Sequence, residues 1–345
     1  MRRRGLVSAS PDSRPRVTVI LPARTAGLTI DLALSSVLAQ TFDDFEVLAL
    51  DDGSTDDTAA RMQVWREKDA RVRVLCTGGL GLVGALNLGL EHARGELIAR
   101  MDADDESLAT RFEKSVSALD ANPEWAGVGT GVEIVRADRP PSPNLQAYGK
   151  WLSSLTSPDL VFRDRFIESP LCHPSMTLRR SALVEAGGWR DGPFPEDWEL
   201  WLRLMERGER LSCLPEVLHR WTDHDRRLTR TDARYALERH LSLKADYVSR
   251  LLQGRRVTLW GATDTGRTLS KALTAKGLTV VRFVELNAKK IGQTIHGVPV
   301  IHPDALPDDG SHVLSCVAAK GARDDIRAFL QARGLVELRD FTCLA

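Results

Sequence analysis

Glu96-Leu97-Ile98-Ala99-Arg100-Met101 runs directly into Asp102-Ala103-Asp104-Asp105, and this stretch decides how the first part of the chain is read. The run from 96 to 101 has the length and apolar content of a short strand, and the carboxylates fall where it ends. Upstream, the same punctuation recurs. Arg16-Val17-Thr18-Val19-Ile20-Leu21 is a β-rich run stopped by Pro22, and residues 29–39 carry apolar side chains at helical spacing. Phe45-Glu46-Val47-Leu48-Ala49-Leu50 is a second strand ending at Asp51-Asp52-Gly53, after which Ser54 or Thr55 is expected to cap a helix reaching Lys68. Val72-Arg73-Val74-Leu75 makes a third strand, and residues 82–94 a helix expected to stop on Gly95 as its C′ residue. Strands alternating with helices imply a parallel α/β sheet with right-handed crossovers, whose ligands bind outside the carboxyl ends of the strands. Both acidic clusters fall at such ends.

Composition limits the alternatives. The chain has 345 residues, long enough for two domains, with 43% hydrophobic and 27% charged residues, the balance of a globular protein. Lys plus Arg (47) equals Asp plus Glu (47), so the basic surplus that nucleic-acid binding requires is missing. Arg2, Arg3 and Arg4 mark a basic tail over residues 1–15, expected to be disordered and leaving room only for peripheral attraction to anionic lipid. No apolar h-region follows it and no uncharged stretch approaches a bilayer-spanning length, so a cytoplasmic protein is expected. Five scattered cysteines without a CxxC pair fit reduced thiols rather than a disulfide frame or zinc site.

The acidic clusters carry the chemistry. Carboxylates as crowded as Asp102, Asp104 and Asp105 repel unless a cation or hydrogen-bond donors compensate, and Mg²⁺ or Mn²⁺ would do so while neutralising a diphosphate leaving group. Taken alone, such a run is common at loops and helix starts. Asp51-Asp52 precede their helix, and a carboxylate there suits neighbouring donors such as a base N–H and a ribose hydroxyl. Asp56 and Asp57 fit the helix dipole instead. Pro195-Glu196-Asp197-Trp198 opens another helix; either acid could serve only that start, or one could deprotonate an acceptor hydroxyl.

Pro22-Ala23-Arg24, Gln40-Thr41, Asp51-Asp52-Gly53-Ser54-Thr55-Asp56, Asn87, Gly95, Asp102-Ala103-Asp104-Asp105 and Glu196-Asp197-Trp198 occur in the order seen in family 2 glycosyltransferases, and over residues 16–228 the chain resembles that family. The resemblance implies an α/β GT-A fold and an inverting enzyme that moves one sugar from a nucleotide-diphosphate donor, a UDP-sugar first, to an acceptor hydroxyl of a glycan or lipid-linked acceptor. It implies a place in cell-surface glycan or polysaccharide biosynthesis. It puts Asp51 and Asp52 on the nucleoside, Asp102 on the sugar–ribose side and at the metal, and Asp104 on the metal, Mn or Mg. Asp197 takes the base role with Glu196 beside it, and Pro22, Arg24 and Asn87 join the donor site. Residues 221–229 lie where the family builds a closing segment, in which Arg226 or Arg227 is a phosphate contact unless the segment is only a solvated basic loop, and His173 and Trp198 belong to an acceptor wall. Leu86 stands where an arginine is common in the family, and Pro22-Ala23-Arg24-Thr25 departs from the usual aromatic and Asn. No QxxRW motif follows Asp197, which argues against a processive synthase.

Residues 145–225 read as long, aromatic-rich loops, with Pro140-Pro141-Ser142-Pro143 as one of them. Residues 229–253 read as a helical connector. Beyond it, Arg256-Val257-Thr258-Leu259-Trp260, Gly261 to Gly266, a helix over 267–276 and a strand closed by Glu285 make residues 254–345 a smaller Rossmann-like unit. Thr263 occupies the place of the glycine that admits a pyrophosphate, so a structural or oligomerising module is the expectation there. Two other functions compete: a nucleotidyltransferase, poorly matched by the turn after Pro22, and a non-catalytic nucleotide-binding module.

Overall fold

The computed structural model describes residues 14–345, so most of the basic tail lies outside the described residues. The chain forms two compact units. The first holds the described residues through Ser154 with Cys172–Trp189 and Cys213–Asp223, and the second holds Leu155–Leu171, Arg190–Ser212 and His224–Ala345.

In the first unit, β1 (Val17–Ala23), β2 (Phe45–Asp51), β3 (Val72–Cys76) and β4 (Leu97–Arg100) alternate with α1 (Ile30–Leu38), α2 (Thr58–Lys68) and α3 (Gly81–His92). β5 (Glu106–Ser107), α4 (Arg111–Ala121), β6 (Trp125–Val135), α5 (Pro143–Ser154), β7 (Thr177–Arg179), α7 (Arg180–Glu185) and β8 (Arg210–Thr222) follow. α6 (Pro158–Asp164) and α8 (Glu196–Glu206) belong to the second unit. The eight strands are ordered β3-β2-β1-β4-β7-β6-β8-β5, with β1 to β4 parallel and β7 antiparallel to β4 and β6. β1 lies between β2 and β4, with Ala23 level with Asp51 and Ile20 level with Arg100. The two acidic strand ends therefore flank the end of β1. Ile30, Leu34 and Val37, at helical spacing on α1, bury with Val17, Val19 and Val47 in one core.

Several local expectations change. Ser54 does not cap α2: its hydroxyl accepts from Thr25 N at 3.0 Å, Thr58 Oγ1 accepts from Ala26 N at 2.8 Å, and the helix begins at Thr58. These side chains are spent on holding the turn after β1. Gly95 is no helix cap either, since α3 ends at His92. A Cβ at Gly95 would lie 2.6 Å from Thr18 N, so close approach to β1 is what demands glycine. Pro143 opens α5 as a first-turn proline, where its missing N–H costs nothing, and the expected long loops contain α5 to α8.

The second unit carries α9 (Leu228–Thr231), α10 (Leu237–Leu251), β9 (Arg256–Trp260), α11 (Asp264–Ala275), β10 (Thr279–Val284), β11 (Thr294–Ile295), β12 (Val298–Ile301), β13 (His312–Ser315), α12 (Ala322–Ala332) and β14 (Phe341–Cys343). Its sheet order is β11-β12-β10-β9-β13-β14, parallel except for the β11–β12 hairpin. Trp198 and Leu202 of α8 share a core with Leu243 and Val248 of α10 and with Val257, Leu259 and Leu314 of the sheet. The helix bearing Glu196 and Asp197 is thus packed as part of this unit. Among the described residues no helix is long and apolar enough to cross a membrane.

Candidate active site

Asp102, Asp104 and Asp105 follow β4 on a tight turn, and each offers an oxygen within 4.8 Å of the others. Their surroundings differ. Asp105 is buried and committed at both oxygens, Oδ2 to His219 Nε2 at 2.8 Å and Oδ1 to Thr222 N at 2.8 Å. It ties the turn to β8. Asp102 is partly open and accepts from Arg100 Nη2 at 2.6 Å. Asp104 is likewise partly open.

Two buried arginines stand behind the turn. Arg100 also donates to the Met101 carbonyl, and Arg111 donates to the Arg100 carbonyl at 2.7 Å. Burial pushes Arg111 down to about 10, so it stays charged at neutral pH. Its Nη1 stands 3.4 Å from His219 Nδ1. Burial first, then the Arg111 charge, hold His219 well below its usual value and therefore neutral. A neutral imidazole accepting at Nδ1 from Arg111 carries its proton on Nε2 and donates to Asp105. A relay of hydrogen bonds, donated from guanidinium to imidazole and from imidazole to carboxylate, thus fixes the turn.

At the end of β2, Asp51 Oδ1 accepts from Ser54 N at 3.2 Å. Asp52 accepts from Gly81 N at 3.1 Å and from the Thr77 hydroxyl, which fastens it to the glycine-rich turn before α3. Pro22 is buried within β1, and Arg24 is exposed in the loop after it. Asn87 has a structural task in α3. Its Nδ2 donates to Trp189 O at 2.8 Å and its Oδ1 accepts from Trp189 N at 2.9 Å, so this amide clamps α3 to the segment after Gly188. His173 is buried and neutral, held below its usual value by burial and then by Arg100, and its Nε2 accepts from Trp189 Nε1 at 3.0 Å.

In the second unit, Glu196 and Asp197 open α8 after Pro195. Glu196 is buried and accepts from the Tyr235 hydroxyl at 2.7 Å. Asp197 keeps an accessible edge and accepts from Trp198 N at 2.7 Å and from Ser169 Oγ at 3.4 Å. Desolvation first, then the charge of Glu196, push Asp197 up to about 7. Trp198 corrects the acceptor-wall expectation: it is fully buried, with its Nε1 on the Arg165 carbonyl at 2.9 Å, and supports α8 from the core. Arg226 is exposed in the segment after β8.

The Rossmann-like turn is closed by its own side chains. A Cβ on Gly266 would lie 2.0 Å from the Gly261 carbonyl, so glycine is required for strand and helix to meet. α11 starts at Asp264 rather than 267, capped by Thr263 Oγ1 on Gly266 N at 3.2 Å. Glu285 accepts from Leu286 N and Asn287 N at 2.9 and 3.2 Å, and Lys290 Nζ crosses to the Ala262 carbonyl at 2.8 Å.

The glycosyl transferase family 2 model matches residues 18–187. The amylovoran biosynthesis glycosyltransferase AmsE of Erwinia amylovora is 30% identical over 190 residues, covering 55% of this chain and 68% of that one. The chain belongs to glycosyl transferase family 2. Its GT-A fold is shared with TarS of S. aureus, solved with UDP-GlcNAc (TM-score 0.56, 19% identity, 75% of this chain and 71% of that one). It is shared too with the mannosyltransferase PcManGT of Pyrobaculum calidifontis, solved with GDP-Man and Mn²⁺ (TM-score 0.54, 21% identity, 80% and 77%). The family match covers the acidic strand ends and stops before Glu196. Arg100, Arg111 and Tyr235 were not singled out from sequence; the crowding of Asp102, Asp104 and Asp105 called for a compensating cation or donors without saying which residues supply them.

Proposed function

We propose that this family 2 glycosyltransferase moves a single sugar from a nucleotide-diphosphate donor to an acceptor hydroxyl with inversion, in the assembly of a surface polysaccharide. The observation that carries the reading is the three-carboxylate turn after β4, with Asp105 fixed by His219 and Thr222 while Asp102 and Asp104 remain partly open. That donor set is all hard oxygen, which suits Mn²⁺ or Mg²⁺. Asp104 and Asp102 would hold the ion, which supplies charge neutralisation for a departing diphosphate. A Mn²⁺ ion and GDP-Man in PcManGT, UDP-GlcNAc in TarS, and the biosynthetic role named for AmsE support donor class and pathway type, with a UDP-sugar the first choice.

In the proposed reaction, the acceptor oxygen bonds to the anomeric carbon as the bond from that carbon to the diphosphate oxygen breaks. Asp197 takes the hydroxyl proton and the nucleoside diphosphate leaves with the bonding pair. A carboxylate with raised proton affinity suits this base role, because it holds the proton more firmly than an ordinary carboxylate at working pH. Asp51 and Asp52 keep acceptor capacity beyond their internal bonds, since an ionised carboxylate has about four lone-pair sites. They are the proposed nucleoside contacts. The test is transfer from UDP-, GDP- and dTDP-sugars with Mn²⁺ or Mg²⁺, with the product's anomeric configuration read by NMR. Inverted product, lost on chelation, supports the reading; retained configuration, or nucleotide monophosphate transfer with pyrophosphate release, overturns it.

A further inference from the structure

The second unit contains a contact that bears on how the Glu196–Asp197 pair divides its protons. Two adjacent carboxyls at one helix start cannot both ionise freely, so their unequal surroundings decide which gives up its proton first. Glu196 faces the Tyr235 hydroxyl at 2.7 Å, and Tyr235 sits in the short turn Ala233–Tyr235 between α9 and α10. Arg234 of that turn, held by Asp232 at 3.1 Å and Asp191 at 3.4 Å, adds its positive charge near Glu196. Asp197 has a backbone N–H and one long hydroxyl contact. Other titratable groups stand near the pair. Glu199, one turn along α8, is bound by Arg203 at 2.9 Å and Arg190 at 3.4 Å, and Glu168 beside Ser169 stands 3.9 Å from His240 of α10. Burial and then the neighbouring carboxylates push the Tyr235 hydroxyl well above its usual value, so it acts only as a donor here.

We propose that Tyr235 is a positioning residue that keeps Glu196 ionised and thereby leaves Asp197 as the member of the pair that takes up a proton. The inference deepens the general-base role proposed for Asp197 and rests on it for its functional meaning. Its chemistry can be read without any substrate. Carboxyl ¹³C shifts of full-length protein labelled at Asp and Glu are followed against pH, with Asp197 and Glu196 assigned through Asp197→Asn and Glu196→Gln. Glu196 is expected to ionise first and Asp197 last. Tyr235→Phe should raise the Glu196 midpoint by about one pH unit, the worth of a hydrogen bond to a charged group. Replacing Tyr235 by 3-fluorotyrosine, a stronger donor of nearly the same shape, should lower it and reads the same contact should the phenylalanine variant fail to fold. A Glu196 midpoint indifferent to both changes, or Asp197 ionising before Glu196 in the unaltered protein, overturns the proposal. The general-base role is tested separately by sugar transfer in Asp197→Asn: full activity there refutes that role and leaves the titration order standing on its own.

Discussion

The chain crowds carboxylates in two places and resolves the repulsion in two ways. After β4, Asp102, Asp104 and Asp105 are backed by Arg100, Arg111 and a neutral His219, and two of the three stay partly open. At the start of α8, Glu196 and Asp197 have a phenol hydroxyl, a backbone N–H and a serine for partners, and burial raises the proton affinity of Asp197. The first arrangement is suited to accept a metal cation, the second to accept a proton. Carboxyl groups are thus given opposite electrostatic settings by their surroundings.

The largest expected effect breaks the proton side of this contrast. Asp197→Asn should lower the transfer rate by about 10³-fold, within the range of general-base catalysis, while nucleoside diphosphate binding in a Mn²⁺ titration stays unchanged. The same substitution should raise thermal stability at alkaline pH. Because the pKa of Asp197 is raised on folding, its ionisation costs nothing below the ordinary carboxylate range, and the cost is complete once pH exceeds the raised value. Melting curves of both proteins at acid and alkaline pH check this, and a stability gain confined to acid pH would contradict it. In the unaltered enzyme, kcat/KM should correspondingly rise with pH through an acid limb lying above the ordinary carboxylate range.

Next in size is the support of the cation side. His219→Ala removes a partner of Asp105, and weakening of Mn²⁺-dependent nucleotide binding by about 10- to 100-fold is expected, as for residues that orient metal ligands. It should also destabilise the fold by about 1–3 kcal/mol, because a buried carboxylate loses a donor. Calorimetric titration and denaturant unfolding measure the two effects. The smallest functional effect is expected from Gly266→Ala. It forces a methyl against the Gly261 carbonyl and should lower stability while leaving Mn²⁺ affinity at the β4 turn within about twofold, because the steric cost falls on a strand–helix joint inside the second unit.

The parallel half of the first sheet was legible because β1, β2 and β4 are short, mainly apolar runs buried along their whole length, although β1 continues through Pro22 to Ala23 instead of stopping at the proline. The acidic turn was legible because it sits where a strand must stop. The region from Pro143 to Glu206 was harder. α5 buries only Gly149 and Leu152, so its sequence lacks a clear apolar stripe, and its opening proline reads as loop until its neighbours are known. Trp198 misled because sequence order cannot say which way a side chain faces: it lies in the core, and the bond of Asn87 to the Trp189 backbone was equally invisible. Arg111 and Tyr235 meet their partners across 11 and 39 residues of chain, and no local spacing announces such pairs.

The β4 turn is proposed to take up a cation through Asp104 and Asp102, and nucleotide binding to depend on that cation. Titration of UDP and GDP into the full chain, with Mn²⁺ and then with chelator, tests it most directly when repeated on Asp104→Asn. The expected result is binding that weakens by more than about 100-fold on chelation in the unaltered chain and no longer responds to Mn²⁺ in the variant. Equal affinity with and without the metal, or a variant that responds to Mn²⁺ as the unaltered chain does, would contradict it.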